Sequence, residues 1–144
     1  MTVDPGADAP EDLLKPLDQD ACARLLAASQ YGRLAVVEEG RPKIIVMNHV
    51  AISSAVLFRT RDDAVLSELT RDGVALHVAY ETDSAFPAGR TGWSVIATGL
   101  LVRETDQHRV DLARTWIAAW AEGERDLVLR LDVEELTGRR VGRL

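Results

Sequence analysis

Two arginines flank a threonine at Arg59-Thr60-Arg61, which the hydrophobic pattern places between the end of a strand and the start of a helix. Guanidinium groups bind phosphate through charge-assisted hydrogen bonds, and the backbone N–H groups of a helix start can add to such a site. The segment therefore predicts a phosphate site formed by Arg59, Thr60 and Arg61. The alternative is a solvated surface on which both guanidiniums pair with neighbouring carboxylates.

Tryptophan is the other residue type that could contact a planar ligand. Trp93 follows Arg90-Thr91-Gly92 at the start of a predicted strand, where its indole could either flank a ring or pack into a core. Trp116 and Trp120 lie four residues apart on a predicted helix, so they share one face and are expected to pack against a sheet without a ligand.

The motifs of several enzyme classes are missing from the sequence. His49, His77 and His108 lie far apart and fit no short-range metal pattern, so no metal site is predicted. The sequence has no Gly-x-Ser-x-Gly elbow, no Walker loop and no glycine-rich dinucleotide fingerprint. The single cysteine, Cys22, lies in an apolar helical pattern and is expected to be a buried small hydrophobe.

Charge is concentrated at the start of the chain. Residues 1–20 hold six acids and only Lys15 as a base, so they account for −5 of the net charge of −6. The near-neutral remainder has no basic stripe for a duplex, which disfavours nucleic-acid binding. Without a signal peptide or a long apolar run, we expect a cytoplasmic protein with no membrane segment.

Proline, glycine and acids in residues 1–16 predict a flexible acidic leader, which leaves 17–144 as one domain. Asp18 can cap a helix that runs to about residue 29. Strands are predicted at 32–37 and 43–50, joined as a hairpin, and at 52–59.

The second half of the chain continues the pattern after a short helix at 62–70. Strands are predicted at 75–81 and at 93–104, the latter being the longest, and a helix is predicted at 106–120. Extended segments follow at 127–133 and 139–144. Short links between strands favour an antiparallel sheet, and closure into a barrel would remove its exposed edges.

Several segments together resemble the pyridoxamine 5′-phosphate oxidase-like family, and they occur in the family's order over about residues 18–144. The resemblance implies a mainly β (α+β) protein, a six- to seven-stranded antiparallel split β-barrel with flanking helices. The segments are 31–37 (YGRLAVV), 47–50 (MNHV), 58–60 (FRT), 91–95 (TGWSV), 123–126 (GERD) and 137–141 (TGRRV).

The resemblance also implies a homodimer that holds FMN across its subunit interface and acts on a small-molecule substrate. Arg59 and Thr60 would contact the phosphate, with Arg61 beside them. The remaining residues that the resemblance assigns to the flavin ring are Met47, Asn48, His49, Trp93 and Ser94.

Within this set, Asn48 and its neighbours would face the ring edge, while Trp93 and Ser94 would line the ring or close the site from the partner chain. His49 is the candidate for proton transfer, since imidazole titrates near neutrality, and a structural histidine is the alternative.

One departure bears on the cofactor. Members of the family often have glycine and lysine in the turn after the Phe-Arg-Thr segment, whereas this chain has Asp62, Asp63, Ala64 and Val65. Two acids close to a phosphate would weaken its binding unless they cap the following helix. A deazaflavin-dependent reductase, or a non-catalytic flavin- or haem-binding module, therefore stays open beside an FMN-dependent oxidoreductase.

Overall fold

The computed structural model of the protein describes residues 14–61, 65–86, 91–117 and 126–142. The strands are β1 (Leu14–Pro16), β2 (Tyr31–Glu38), β3 (Arg41–Ile52), β4 (Ala55–Arg61), β5 (Leu76–Phe86), β6 (Thr91–Arg103) and β7 (Asp126–Val141). The helices are α1 (Gln19–Ala28), α2 (Val65–Leu69) and α3 (Gln107–Trp116), and a 3₁₀ turn at Arg71–Gly73 follows α2.

The strands form one antiparallel barrel. Six of them follow the order β7-β4-β3-β2-β5-β6, and β6 returns to β7 to close the ring, while β1 adds to the far end of β7. Closure leaves few exposed strand edges. Because neighbouring strands are antiparallel, short hairpin links are sufficient to join them. The predicted mainly β split barrel with flanking helices is thereby confirmed.

Alternation along the strands separates an inner from an outer face. On β6 the inward residues include Val95, Ala97 and Leu101, which are completely buried. The barrel interior is filled by such side chains from six strands, with Phe58 and Tyr80 as the largest aromatic members. Cys22 of α1 is buried against this core, as predicted.

The helices close the barrel from two sides. Asp18 caps α1 by accepting a hydrogen bond from the N–H of Ala21, as the sequence predicts. Helix α3 covers the outside of the wall, where Ala113 and Ile117 pack against Leu57 of β4 and Val128 of β7. This second apolar cluster fixes the end of α3 beside β4.

The structure differs from the predicted elements at the first strand and at the last. Leu14–Pro16 forms β1 by pairing with 139–141 of β7, so the paired chain begins three residues before the predicted start of the domain at residue 17. The two predicted extended segments are one strand, β7, which is longer than β6 because both β4 and β6 pair with it. The remainder of the predicted leader, 1–13, lies outside the described residues.

The predicted third helix also differs in its end and in its tryptophan. Helix α3 ends at Trp116. The Trp116 side chain is 70% exposed, so the expectation that it packs against the sheet is wrong. The reason is that the apolar contact with the sheet is made by Ala113 and Ile117. Trp120 lies outside the described residues.

Candidate functional site

Consecutive residues of β3 point to opposite sides of the barrel wall. Met47 and His49 are buried inside, whereas Asn48 between them is half-buried on the outer side. The strand therefore presents only one of the three predicted side chains outward.

The imidazole of His49 is fully engaged inside the barrel. Its Nε2 lies 2.9 Å from the carbonyl oxygen of Leu26, and its Nδ1 lies 2.5 Å from the Tyr80 hydroxyl. A carbonyl only accepts, so Nε2 carries the proton and Nδ1 accepts from Tyr80. Burial lowers the pKa of His49, which keeps the ring neutral. His49 thus ties α1 to the barrel.

Glycine at position 32 allows this arrangement. Gly32 pairs with Met47 across the β2–β3 ladder, and a Cβ there would overlap the ring of Tyr80 and the backbone of Glu81. Tyr80 therefore reaches His49 only because β2 lacks a side chain at this point.

A cavity of about 320 Å³ lies outside the barrel wall between the ends of α1 and α3. Asn48 and Val50 of β3 line the cavity on the side of the barrel wall, and the exposed Trp116 also lines it. The complete lining is Ala27, Ala28, Ser29, Gln30, Asn48, His49, Val50, Trp116 and Ile117.

Arg59 connects β4, β7 and the end of α3. Its Nε donates to both carboxylate oxygens of Asp126 at 2.8 and 2.9 Å, and its Nη1 donates to the carbonyl oxygen of Ile117 at 2.8 Å. Arg114 of α3 donates from Nε to the same carboxylate at 3.1 Å. We call Arg59, Arg114 and Asp126 the arginine cluster. Because Ile117 also lines the cavity, the cluster adjoins it.

The other residues of the predicted phosphate segment follow Arg59 along β4. Thr60 is half-buried opposite Leu127, and Arg61 is exposed opposite Asp126. Val65 begins α2, a helix of five residues. Asp62 and Asp63, whose charge bears on this site, lie outside the described residues.

Trp93 and Ser94 lie far from Arg59 within one chain. Arg59 pairs with Val128 near the start of β7, whereas Trp93 pairs with Arg140 near its end. The intervening twelve residues of strand correspond to a path of about 40 Å. Trp93 packs against the core, and Ser94 is half-buried. The predicted site residues therefore form two groups at opposite ends of β7.

The outer face of β2 and β3 carries unusually exposed apolar side chains. We call this the outer apolar face, formed by Tyr31, Val37, Ile44 and Val46, which are 56%, 60%, 72% and 65% exposed. The ladder aligns Tyr31 with Asn48, so the face runs up to the cavity. Exposed apolar patches of this kind mark interaction surfaces.

An ionic group lies within the outer apolar face, because Arg33 stands between Tyr31 and Val37 on β2 and pairs with Val46. Arg33 of β2 lies 3.1 Å from Asp83 and 3.5 Å from Glu81, both on β5. Burial together with the neighbouring Asp83 raises the pKa of Glu81 to about 7, against the lowering effect of Arg33. This part of the wall is therefore less charged at neutral pH than its residue types suggest.

Sequence reasoning missed three residues of this region. Trp116 was assigned only to packing, and Arg114 and Asp126 were given no role in binding, although all three border or adjoin the cavity. Their proximity depends on the packing of α3 against β4 and β7, and no local motif signals it.

Metal-ligand clusters and membrane-spanning helices are both absent from the part of the chain that the structure describes. In these residues, no three His, Cys, Asp or Glu side chains converge as metal ligands do. None of the helices described is both long and apolar enough to cross a membrane.

Comparisons with known proteins agree with the architecture. The sequence profile of the family described as pyridoxamine 5′-phosphate oxidase matches residues 18–140. An uncharacterized protein of Mycobacterium tuberculosis is 35% identical over 127 residues, which cover 87% of this chain and 84% of that protein.

Solved structures give the same result. A Corynebacterium glutamicum structure has a TM-score of 0.75 at 20% identity and covers 90% of this chain and 99% of its own. The FAD-binding protein of Mycobacterium smegmatis has a TM-score of 0.72 at 25% identity, covering 89% of this chain and 100% of its own. The profile match across most of the barrel shows that the chain belongs to the pyridoxamine 5′-phosphate oxidase family.

Proposed function

We propose that the protein is an FMN-dependent oxidoreductase that works as a homodimer, with the flavin held in the cavity at the subunit interface. The observation that carries this proposal is that the cavity beside Asn48 adjoins the arginine cluster, through Ile117. A phosphorylated flavin needs both a space for its ring system and a cationic group for its phosphate.

The residues around the cavity fit such a ligand chemically. The Asn48 amide offers both a donor and an acceptor, which suit the polar edge of an isoalloxazine ring. Val50 and the two alanines at the end of α1 offer apolar contact, and the exposed indole of Trp116 can cover a planar ring. Two arginines against one carboxylate leave the arginine cluster with a net positive charge.

Each residue then has a role that its position supports. Bound FMN would supply the electron or hydride transfer. Asn48 would orient the ring, the arginine cluster would bind the phosphate with Thr60 and Arg61 nearby, and Trp116 would exclude water. His49 would hold α1 against the barrel without exchanging protons with substrate, since both ring nitrogens are bonded inside the protein.

The homodimer is supported by the outer apolar face. A second copy of the chain would bury this face and, across the interface, bring its own Trp93 and Ser94 to the cavity of the first. One chain by itself keeps these residues at the opposite end of β7 from Arg59. The small-molecule substrate would enter over the open side of the ring.

Titration with flavin tests the function. The purified protein should acquire a flavin visible spectrum with FMN, and Arg59→Gln should weaken FMN binding by about tenfold or more, because a charge-assisted hydrogen bond contributes roughly 1.5–3 kcal/mol. Arg71→Gln, at an exposed arginine that pairs with Glu68, is the matched control and should bind normally.

The same titration separates the alternatives. FAD, a deazaflavin and haem are added in parallel, because the Mycobacterium smegmatis neighbour is an FAD-binding protein and the family resemblance leaves the other two open. Tighter binding of one of these than of FMN would contradict the FMN assignment. A protein that binds none of the four would contradict the whole proposal.

A further inference from the structure

The two arginines of the arginine cluster interact with Asp126 to different extents. Both carboxylate oxygens of Asp126 accept from the Nε of Arg59, whose side chain is 20% exposed, so this pair is close to neutral by itself. Arg59 also donates to the carbonyl oxygen of Ile117 at the end of α3. Carbonyl oxygens at a helix end carry partial negative charge, which opposes an incoming anion.

Arg114 changes this balance. It approaches Asp126 from α3 through a single 3.1 Å contact, and its side chain is 46% exposed. With Arg114 the three side chains sum to one positive charge, and without it they sum to zero.

We propose that Arg114 is the second phosphate-binding cation of this site and that it contributes to the preference of the site for a phosphorylated flavin. This inference rests on the proposed function, since it assigns a residue to the phosphate of the same flavin. Arg59 in this arrangement holds the end of α3 and Asp126 in place and presents the rest of its guanidinium. Arg114 then meets the phosphate from the solvent side.

The experiment compares FMN with riboflavin, which has the same ring and no phosphate. Dissociation constants for both are measured by flavin fluorescence quenching, and the ratio of the riboflavin value to the FMN value isolates the phosphate contribution. Arg114→Gln should lower this ratio by about tenfold or more, since a charge-assisted hydrogen bond is lost. Arg114→Lys keeps the charge and should retain most of the ratio.

Arg109→Gln is a closely matched control. Arg109 also lies on α3, is 44% exposed and forms an ion pair with a carboxylate, that of Glu104 at 3.6 Å. Its substitution should leave the ratio within about twofold of the wild-type value. A comparable fall in Arg109→Gln would show a general effect of α3 charge and would overturn the assignment of Arg114.

The remaining outcomes distinguish the inference from the proposed function. If Arg114→Gln leaves the ratio unchanged, or weakens FMN and riboflavin equally, Arg114 supports the cavity only and the inference is wrong while flavin binding stands. If the wild-type protein prefers FMN over riboflavin by less than about twofold, no phosphate site exists here and the proposed function fails with it.

Discussion

At the residue scale, Asn48 and His49 are adjacent in the sequence, but their side chains lie in different environments. Asn48 faces the cavity, and His49 is held within the barrel by Leu26 and Tyr80. The alternation of a strand enforces this division, because adjacent side chains must lie on opposite faces. In the proposed function, Asn48 would therefore contact the ligand, while His49 would contribute to stability.

We expect His49→Gln to lower the free energy of unfolding by about 1–3 kcal/mol near pH 8, because a buried partner loses its hydrogen bond. Burial places the pKa of His49 in the folded protein below its ordinary value of 6.5, so the folded state binds fewer protons than the unfolded chain. The stabilisation that His49 gives the folded protein is therefore present above pH 6.5 and is lost as the pH falls below 6.5.

Urea unfolding of wild type and His49→Gln from pH 8 to pH 5 measures this difference, which should shrink toward acid pH. His77→Gln removes an exposed histidine from β5 and should preserve the wild-type profile. A difference between wild type and His49→Gln that stays constant with pH would contradict the assigned burial of a neutral ring.

At the element scale, the ends of α1 and α3 determine the cavity. Helix α1 begins at the Asp18 cap and ends beside His49, while α3 is held by its apolar cluster and by the bond from Arg59 to Ile117. Displacement of either helix would change the cavity without altering the barrel. The shape of the cavity therefore depends on how the two helices pack against the barrel wall.

Asp18→Ala tests this dependence on α1. Loss of the cap should lower the free energy of unfolding by about 1 kcal/mol, since the N–H of Ala21 loses its acceptor. Asp20→Ala removes an acid from the first turn of the same helix and should cost less, because only the interaction with the helix dipole is lost. Thermal unfolding gives both values, and equal losses would argue against the capping role.

At the scale of the whole molecule, the outer apolar face and the division of the predicted site along β7 have one common explanation. Ile44 and Val46 are exposed to water in the single chain. Covering them would stabilise an assembly, because apolar surface would be removed from water. In the proposed homodimer, a second copy would cover them and would also join the two groups of site residues. The proposed cofactor site is then a property of the dimer.

We expect Ile44→Glu to convert the dimer into a monomer and to weaken FMN binding with it, because a carboxylate would be buried in the interface. Sedimentation equilibrium measures the mass, and the flavin titration measures the affinity. Val74→Glu is the control, since Val74 is 50% exposed but follows the 3₁₀ turn and belongs to neither β2 nor β3. A monomeric wild type, or equal effects of both substitutions, would contradict the proposed interface.

The order of elements and the barrel class could be predicted from local signals. Alternation on β6, the Asp18 cap and the turn residues between β2 and β3 all act over a few residues, so the sequence specifies them directly. The separate prediction of two terminal strands failed because the continuity of β7 depends on its pairing with β4 and β6.

The sequence by itself determined the family that the chain resembles and indicated Arg59 and Asn48 as candidate residues, but no signal in it pointed to Arg114 or Trp116. Only the tertiary structure decided that His49 points inward, that Trp116 is exposed, and that Asp126 and Arg114 meet Arg59. The physical reason is that these contacts join residues that are 12 to 67 positions apart in the sequence, so packing decides them where local propensity cannot.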